Sequence, residues 1–142
     1  MPKIDLKELI HMGRDNSQGY FQTNVPVRQG DLLLIDYGRK KTGSRNGIKR
    51  PSVVVGNMDA MKHEDDFLVV PMFRHPSRSC RSGDIVLNPT ECVGLRSEQF
   101  LQPMQVTAVN SCRVIRRIGR IKNRTVTRQI VMSIQDLVAE ED

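Results

Sequence analysis

A small, mainly antiparallel β-fold closed on one side by a C-terminal helix is the architecture that the sequence predicts. Three observations lead there. First, short apolar runs at 30–38 (GDLLLIDYG), 52–57 (SVVVGN), 67–73 (FLVVPMF) and 85–88 (IVLN) alternate with polar stretches bearing glycine and proline, which is the spacing of strands and turns. Second, Val126, Ile130, Ile134 and Val138 recur every fourth residue with Leu137 beside them, the stripe of an amphipathic helix. Third, 142 residues with 38% hydrophobics and no tryptophan suit one domain with a core of Val, Ile, Leu and Met. Together they predict a twisted antiparallel sheet or half-open barrel, one side of which the helix covers.

The elements follow in order. Leu6, Leu9 and Ile10 share a helical face and Gly13 can cap it, so an extra N-terminal helix spans 4–13. The polar, turn-rich stretch after it leads to a barrel unit at 27–142, leaving 1–26 as an extension or arm. The run 30–38 is short enough for a buried strand. A cationic loop over 39–50 separates it from the second strand. In the third, Pro71 implies that the strand leaves the sheet or lies at an edge there. The stretch 89–95 reads as a connection, and 97–110 as a strand bent at Pro103. Residues 114–121 (VIRRIGRI) are strand or turn. Thr125 or Thr127 caps the terminal helix, whose acidic end opposes the helix dipole and should fray.

Composition narrows the function. No apolar run approaches the ~20 residues of a membrane helix, and residues 1–13 lack the apolar core of a signal peptide; a cytoplasmic protein that does not contact membranes is expected. Cys80, Cys92 and Cys112 form no CxxC pair, so neither a disulfide framework nor a metal site is indicated, and no cofactor is expected. The net charge of +6 is unevenly spread. Residues 28–135 hold nineteen Lys and Arg against nine Asp and Glu, net +10. Within them, 39–50 and 113–124 carry six cations each and no acid. Such blocks draw polyanions by counterion release and steering. A solvated basic face is the bland alternative; two blocks in one small domain favour a phosphate-bearing partner.

The order of the motifs VRQGDLLLIDYG, GSRNGIKRPSVVVGN, FLVVPMF, GDIVLN, GLRSEQFLQPMQV and RIGRI, followed by a terminal helix, resembles the MazF/PemK toxins of bacterial toxin–antitoxin systems. The resemblance covers roughly residues 27–138. It implies an SH3-like barrel, a homodimer, a cognate antitoxin as partner, and a metal-independent endoribonuclease that cuts single-stranded RNA, mRNA included. Such chemistry uses the RNA's own 2′-hydroxyl as nucleophile. It needs a proton acceptor, a proton donor for the departing 5′-oxygen, and cations for the crowded phosphate.

Arg50 matches the family's catalytic arginine in its Arg-Pro pair, at the lip of the first strand-to-strand loop. A planar guanidinium can contact two phosphate oxygens at once; the bland reading is an arginine that merely ends a loop. Arg45 and Lys49 are candidates for phosphate contact. The usual acid five residues before the arginine is replaced by Arg45, the usual Thr or Ser after the VP-apolar strand end by Phe73, and an arginine and aspartate before QP by Gln99 and Leu101. His75, two residues past Phe73, could restore acid–base capacity because an imidazole titrates near neutrality, with Arg74 as a second cation; it could equally be a surface residue. Gln102 could bond a base or phosphate or serve the sheet, and Phe73 belongs to the core or stacks on a base. A catalytically degraded barrel that binds RNA or protein is the alternative function. A third is a protein-targeting toxin on the related barrel of the gyrase poisons.

Overall fold

The apolar runs become strands of one curled sheet. The computed structural model describes residues 26–39, 47–75 and 84–141. The expected helix at 4–13 and Arg45 lie outside them. Among the described residues there are eight strands: β1 Asp31–Arg39, β2 Gly47–Val54, β3 Asp66–Phe73, β4 Ile85–Leu87, β5 Cys92–Val93, β6 Gln99–Leu101, β7 Thr107–Asn110 and β8 Val114–Ile121. One helix follows, α1, Arg124–Leu137. The strands run in the order β4-β6-β3-β2-β1-β8-β5, with β7 also on β3. Every pairing is antiparallel, and the path leaves β4 and β5 as its ends: a half-open barrel.

The strands at the centre are apolar without alternation because the sheet buries both faces. On one face, Leu32, Val53, Val70 and Met72 pack with Leu87, Leu101, Ile121 and Ile130 of α1. On the other, Leu33, Ile35, Val54, Phe67, Val69, Val109 and Val114 form a second cluster. Val126 and Ile134 pack beside Ile130, as the helical period requires.

β3 has two neighbours along the edge that faces away from β2. Its first half, Asp66 to Val69, pairs β7, and its end, Met72 and Phe73, pairs β6. Pro71 falls between the two ladders, where a missing N–H costs least. The bend expected at Pro103 is a 3-10 turn, Pro103–Gln105, between β6 and β7.

Four expectations are corrected. β2 starts at Gly47, so Lys49 and Arg50 stand inside a strand, opposite Asp36 and Ile35 of β1. Backbone pairing carries the ladder beyond the apolar core, which residue character alone does not reveal. The stretch after Asn88 is a 3-10 turn and then β5, paired to β8. Asn123 caps α1, accepting a hydrogen bond from the Thr125 N–H at 2.8 Å; Asn ranks above Thr at that position. Val138 lies past the helix and is 81% exposed, so the buried stripe ends at Ile134.

β5 and β8 cross at glycines. Gly94 has φ +86°, open to glycine at little cost, and an added Cβ there would strike the Ile118 carbonyl. A Cβ on Gly119 would overlap the Val93 carbonyl oxygen. This close approach sets the segment 94–97 against β8, where it becomes a wall of the site.

Candidate nucleic-acid interface

The sheet forms the floor of a groove of about 1050 Å³. Leu34 pairs Pro51 across β1 and β2. The β2–β3 register, Ser52 with Pro71 and Val53 with Val70, continued by one residue sets Pro51 opposite Met72. These three form the apolar floor. Gly94 to Ser97 and Gln99 contribute one part of the lining, Arg116 and Ile118 of β8 another, and Lys49, Arg50, Phe73, Arg74 and His75 the remainder.

Among the described residues that line it, five are cations, Lys49, Arg50, Arg74, Arg96 and Arg116, and none is a carboxylate. A concave surface of one sign concentrates its field and draws counter-charge. Spaced cations over a floor of apolar groups suit an extended phosphodiester chain, whose phosphates meet the guanidinium groups while its bases lie on apolar surface.

Arg50 is half-buried. Its guanidinium carbon lies 4.3 Å from the centroid of the Phe73 ring, a cation–π contact. The strand register explains the contact: two residues beyond the Ser52–Pro71 pair, Arg50 falls opposite Phe73. Next to them the Tyr37 hydroxyl shares a hydrogen bond with Ser52 Oγ. Burial raises the Tyr37 pKa, and the Ser52 bond and the Arg50 charge partly offset it. Tyr37 is thus a neutral, fixed neighbour of the arginine.

The structure brings together four of the six residues expected from sequence. Arg50, Lys49, Arg74 and His75 line one groove, with Lys49, Arg74 and His75 exposed. Arg45 lies outside the described residues. Gln102 is elsewhere: its Nε2 donates to Asp84 Oδ1 at 2.8 Å, in a second hollow that shares only Phe73 with the first. Phe73 is therefore neither core nor free surface but a partition between two hollows.

Arg96, Arg116, Ser97 and Gln99 are further lining residues that sequence reasoning did not assign. Gln99 is buried and donates from Nε2 to Ser97 Oγ at 3.1 Å, tying the segment 94–97 to β6. Arg116 was hidden by its neighbour. Arg116 and Arg117 point to opposite sides of β8, and only the pairing of Leu34 with Arg116, set by two bulges against β1, shows which one faces the groove. Arg117 goes inward at 5% exposure, its Nε 3.6 Å from Asp31 Oδ2. Asp31 also accepts from the Arg28 N–H at 2.9 Å. Its pKa is nonetheless raised above 3.8, because desolvation outweighs the Arg28 bond and the charges of Arg117, Arg120 and Arg28. Part of the second basic block is thus structural.

Among the described residues no cluster of three His, Cys, Asp or Glu is placed to hold a metal ion, and no helix is long and apolar enough to cross a membrane.

Residues 28–137 match the model of the PemK-like, MazF-like toxins of type II toxin–antitoxin systems. The chain belongs to this family. Solved structures agree on the fold. A chain of the MazE–MazF crystal structure (form II) from Deinococcus radiodurans superposes with a TM-score of 0.63 at 11% identity, covering 81% of this chain and 97% of that one. An endoribonuclease in complex with its cognate antitoxin from a mycobacterial species gives 0.59 at 12% identity, covering 82% and 97%. The Mycobacterium tuberculosis toxin MazF-mt6 gives 0.56 at 11%, covering 75% and 93%. No curated protein matches by sequence. At such identities a MazF-type barrel is shared while the side chains of its groove are this chain's own.

Proposed function

We propose that this MazF-like chain is an endoribonuclease toxin that cuts single-stranded RNA by attack of a ribose 2′-hydroxyl on the adjacent phosphate. The observation that carries the proposal is the groove with five cations and no carboxylate, in which the arginine of the Arg-Pro pair is held against an aromatic ring. In the reaction the 2′-oxygen forms a bond to phosphorus and the bond to the 5′-oxygen breaks. The products are a 2′,3′-cyclic phosphate and a 5′-hydroxyl. The proton of the 2′-hydroxyl leaves to a base, and another reaches the departing 5′-oxygen.

Arg50 is assigned to the phosphate, where a guanidinium gains most as charge builds on the equatorial oxygens. His75, exposed on the same groove, is assigned to proton transfer. Lys49 and Arg74 hold flanking phosphates, and Arg45 is assigned with them from sequence. A cognate antitoxin with an acidic segment would compete for the same cations. A homodimer in the cytoplasm completes the reading.

A second reading is favoured by the Arg50–Phe73 contact itself, since a guanidinium engaged on a ring suits a binding module that has lost catalysis. One assay separates the two. Antitoxin-free protein is incubated in EDTA with long, weakly structured RNA, beside Arg50→Ala and His75→Ala, and both new ends are mapped. Discrete cuts with cyclic phosphate ends, lost in Arg50→Ala, support the ribonuclease. Intact RNA, still bound at low salt by the folded wild type, supports the binding module.

A further inference from the structure

We infer that the surface where the end of β8 meets the start of α1 is a second RNA site, which holds phosphates outside the groove and reads no base; the inference rests on the ribonuclease reading above. Of the second acid-free block, Arg116 lines the groove and Arg117 is buried against Asp31. Arg120, Lys122 and Arg124 have no part in either and are exposed. Arg128 follows one turn after Arg124, on the same side of α1. Arg28 joins them through the fold. Its N–H bonds Asp31 Oδ2, and Asp31 stands opposite Arg120 in the β1–β8 ladder. The turn that carries Arg28 is tied to both other elements. The Gly30 carbonyl accepts from the Ile121 N–H at 2.9 Å, and a Cβ on Gly30 would meet Thr127 Oγ1 of α1. Three elements thus gather five cations, none of which lines the groove.

All five are exposed, and among the described residues none of their side chains makes an ion pair or hydrogen bond. The neighbouring carboxylates are engaged elsewhere. Asp31 is buried beside Arg117. Glu91, whose carbonyl accepts from the Lys122 N–H, turns its carboxylate to the Asn88 N–H and Nδ2. The placement also works against the helix. A helix start carries partial positive charge and favours acids, yet α1 has no acid before Asp136 and sets Arg124 and Arg128 in its first two turns. A local rule broken without a compensating contact inside the fold is the mark of a functional surface, and here the missing group is an anion from outside.

The chemistry of the surface favours RNA over an acidic protein. Four of the five cations are arginines, whose forks meet phosphate oxygens two at a time. A protein partner needs an apolar centre to its contact, whereas only single apolar side chains are exposed beside the cations, Val93 opposite Arg120 and Met132 one turn past Arg128. The turn 28–31, β8 and α1 contain no aromatic residue on which a base could stack, so the contact is to the backbone of the RNA. β8 links the two sites. It carries Arg116 at the groove and Arg120 four residues on, at most ~13 Å away at ~3.3 Å per residue. An RNA strand that leaves the groove along β8 reaches the second site within a few nucleotides, which anchors long substrates and leaves short ones to the groove alone.

The test measures binding rather than cleavage. Lys122→Gln, Arg124→Gln and Arg128→Gln are combined in one variant, which keeps Arg28 and Arg120 beside Asp31. Antitoxin-free wild type and variant are titrated by filter binding with oligouridylates, 2′-O-methylated so that no ribose can attack. One is short, about five residues, near the lower site size of a single-strand groove, and one is long, about twenty-five. Melting curves check the fold; the variant should melt no lower than wild type, since the helix start is relieved of like charge. For the long oligomer the variant should lose roughly a hundredfold in affinity at ~0.1 M salt, with the salt slope flattened by about 2, while the short one changes by less than about threefold. Long-oligomer binding within about threefold of wild type overturns the second site. Equal losses on both oligomers overturn it too, because the charges then act on the groove from a distance. Polyglutamate is the protein-like control: a variant that loses polyglutamate but keeps the long oligomer assigns the surface to an acidic protein instead. If wild type cuts no RNA in the cleavage assay above, the ribonuclease reading falls while a length-dependent loss of binding still stands.

Discussion

Replacing Arg50 by alanine separates what this side chain does for the fold from what it does for the reaction. In the folded protein it is half-buried, paired in β2 and stacked on Phe73. A cation–π contact contributes ~0.5–1 kcal/mol where it is exposed, and ~2 or more where water is excluded. The backbone ladder persists in the variant, so the structural loss should be about 1 kcal/mol, a drop of a few degrees in Tm. Removal of one preorganised group that stabilises a developing anion costs far more, ~2.7–4 kcal/mol, or roughly 10²–10³ in rate. Single-turnover cleavage with saturating protein, run beside thermal melts, reads both. Phe73→Leu is the companion variant: it keeps the cation and removes the ring, so cleavage should fall by less than in Arg50→Ala. If folded Arg50→Ala cuts within about threefold of wild type, the catalytic assignment is refuted. If its loss of cleavage merely follows the unfolded fraction, a structural role suffices.

Four further outcomes are expected. If all five groove cations contact phosphates, log Kobs for single-stranded RNA should fall against log salt with a slope of about −3.5, and Arg96→Ala and Arg116→Ala should each flatten it by about 0.7; filter binding from low to high salt checks this, and unchanged slopes exclude the two arginines. Gly119→Ala should destabilise by ~1–3 kcal/mol or more, since its Cβ meets the Val93 carbonyl rather than a yielding side chain; urea melts measure it. Burial first, and the Glu91 charge next, push the Cys92 thiol up to about 11, so at pH 8 a thiol reagent should label exposed Cys112 well before Cys92, as peptide mapping would show. Asp31, raised above 3.8 mainly by burial, binds its proton more tightly in the folded state. Its titration therefore adds stability that is fully present below pH 3.8 and is lost as pH rises through the folded value. Against Asp31→Asn, wild type should lose relative stability over that rise in urea melts, and a relative gain with pH would refute the direction.

Much of the fold was legible because burial on both faces leaves continuous apolar runs. DLLLIDYG and SVVVGN need no partner to be recognised as strands, and Ile130 with its helical neighbours marks α1 by period alone. β5 was not legible. Cys92 and Val93 are held by pairing with Ile121 and Arg120 and by the two glycines that admit β8, a relation between segments far apart in the chain. The site divides in the same way. Arg50, Lys49, Arg74 and His75 lie beside recognisable strand ends and share one groove. Arg116 could be told from Arg117 only by a register that two bulges set. Gln102 was expected to bond a base or phosphate or to serve the sheet; it lies outside the groove, bonded to Asp84 eighteen positions away, and only pairing of β4 with β6 brings the two together.

The ring at position 73 links these pieces. A hydroxyl there, as the family pattern has it, could bond a phosphate oxygen or the arginine's target; an aromatic ring cannot, but it offers a face. In this chain one face or edge of Phe73 meets Arg50 and the same ring bounds the Asp84–Gln102 hollow. A phosphate that binds the guanidinium must then meet a group already held on the ring, so the contributions of Arg50 and Phe73 are coupled rather than additive. A double-mutant cycle between Arg50→Lys and Phe73→Leu, measured as single-turnover cleavage, reads that coupling. The two losses should be non-additive. Losses that add to within ~0.5 kcal/mol, the limit for independent sites, would show that the ring does not position the guanidinium.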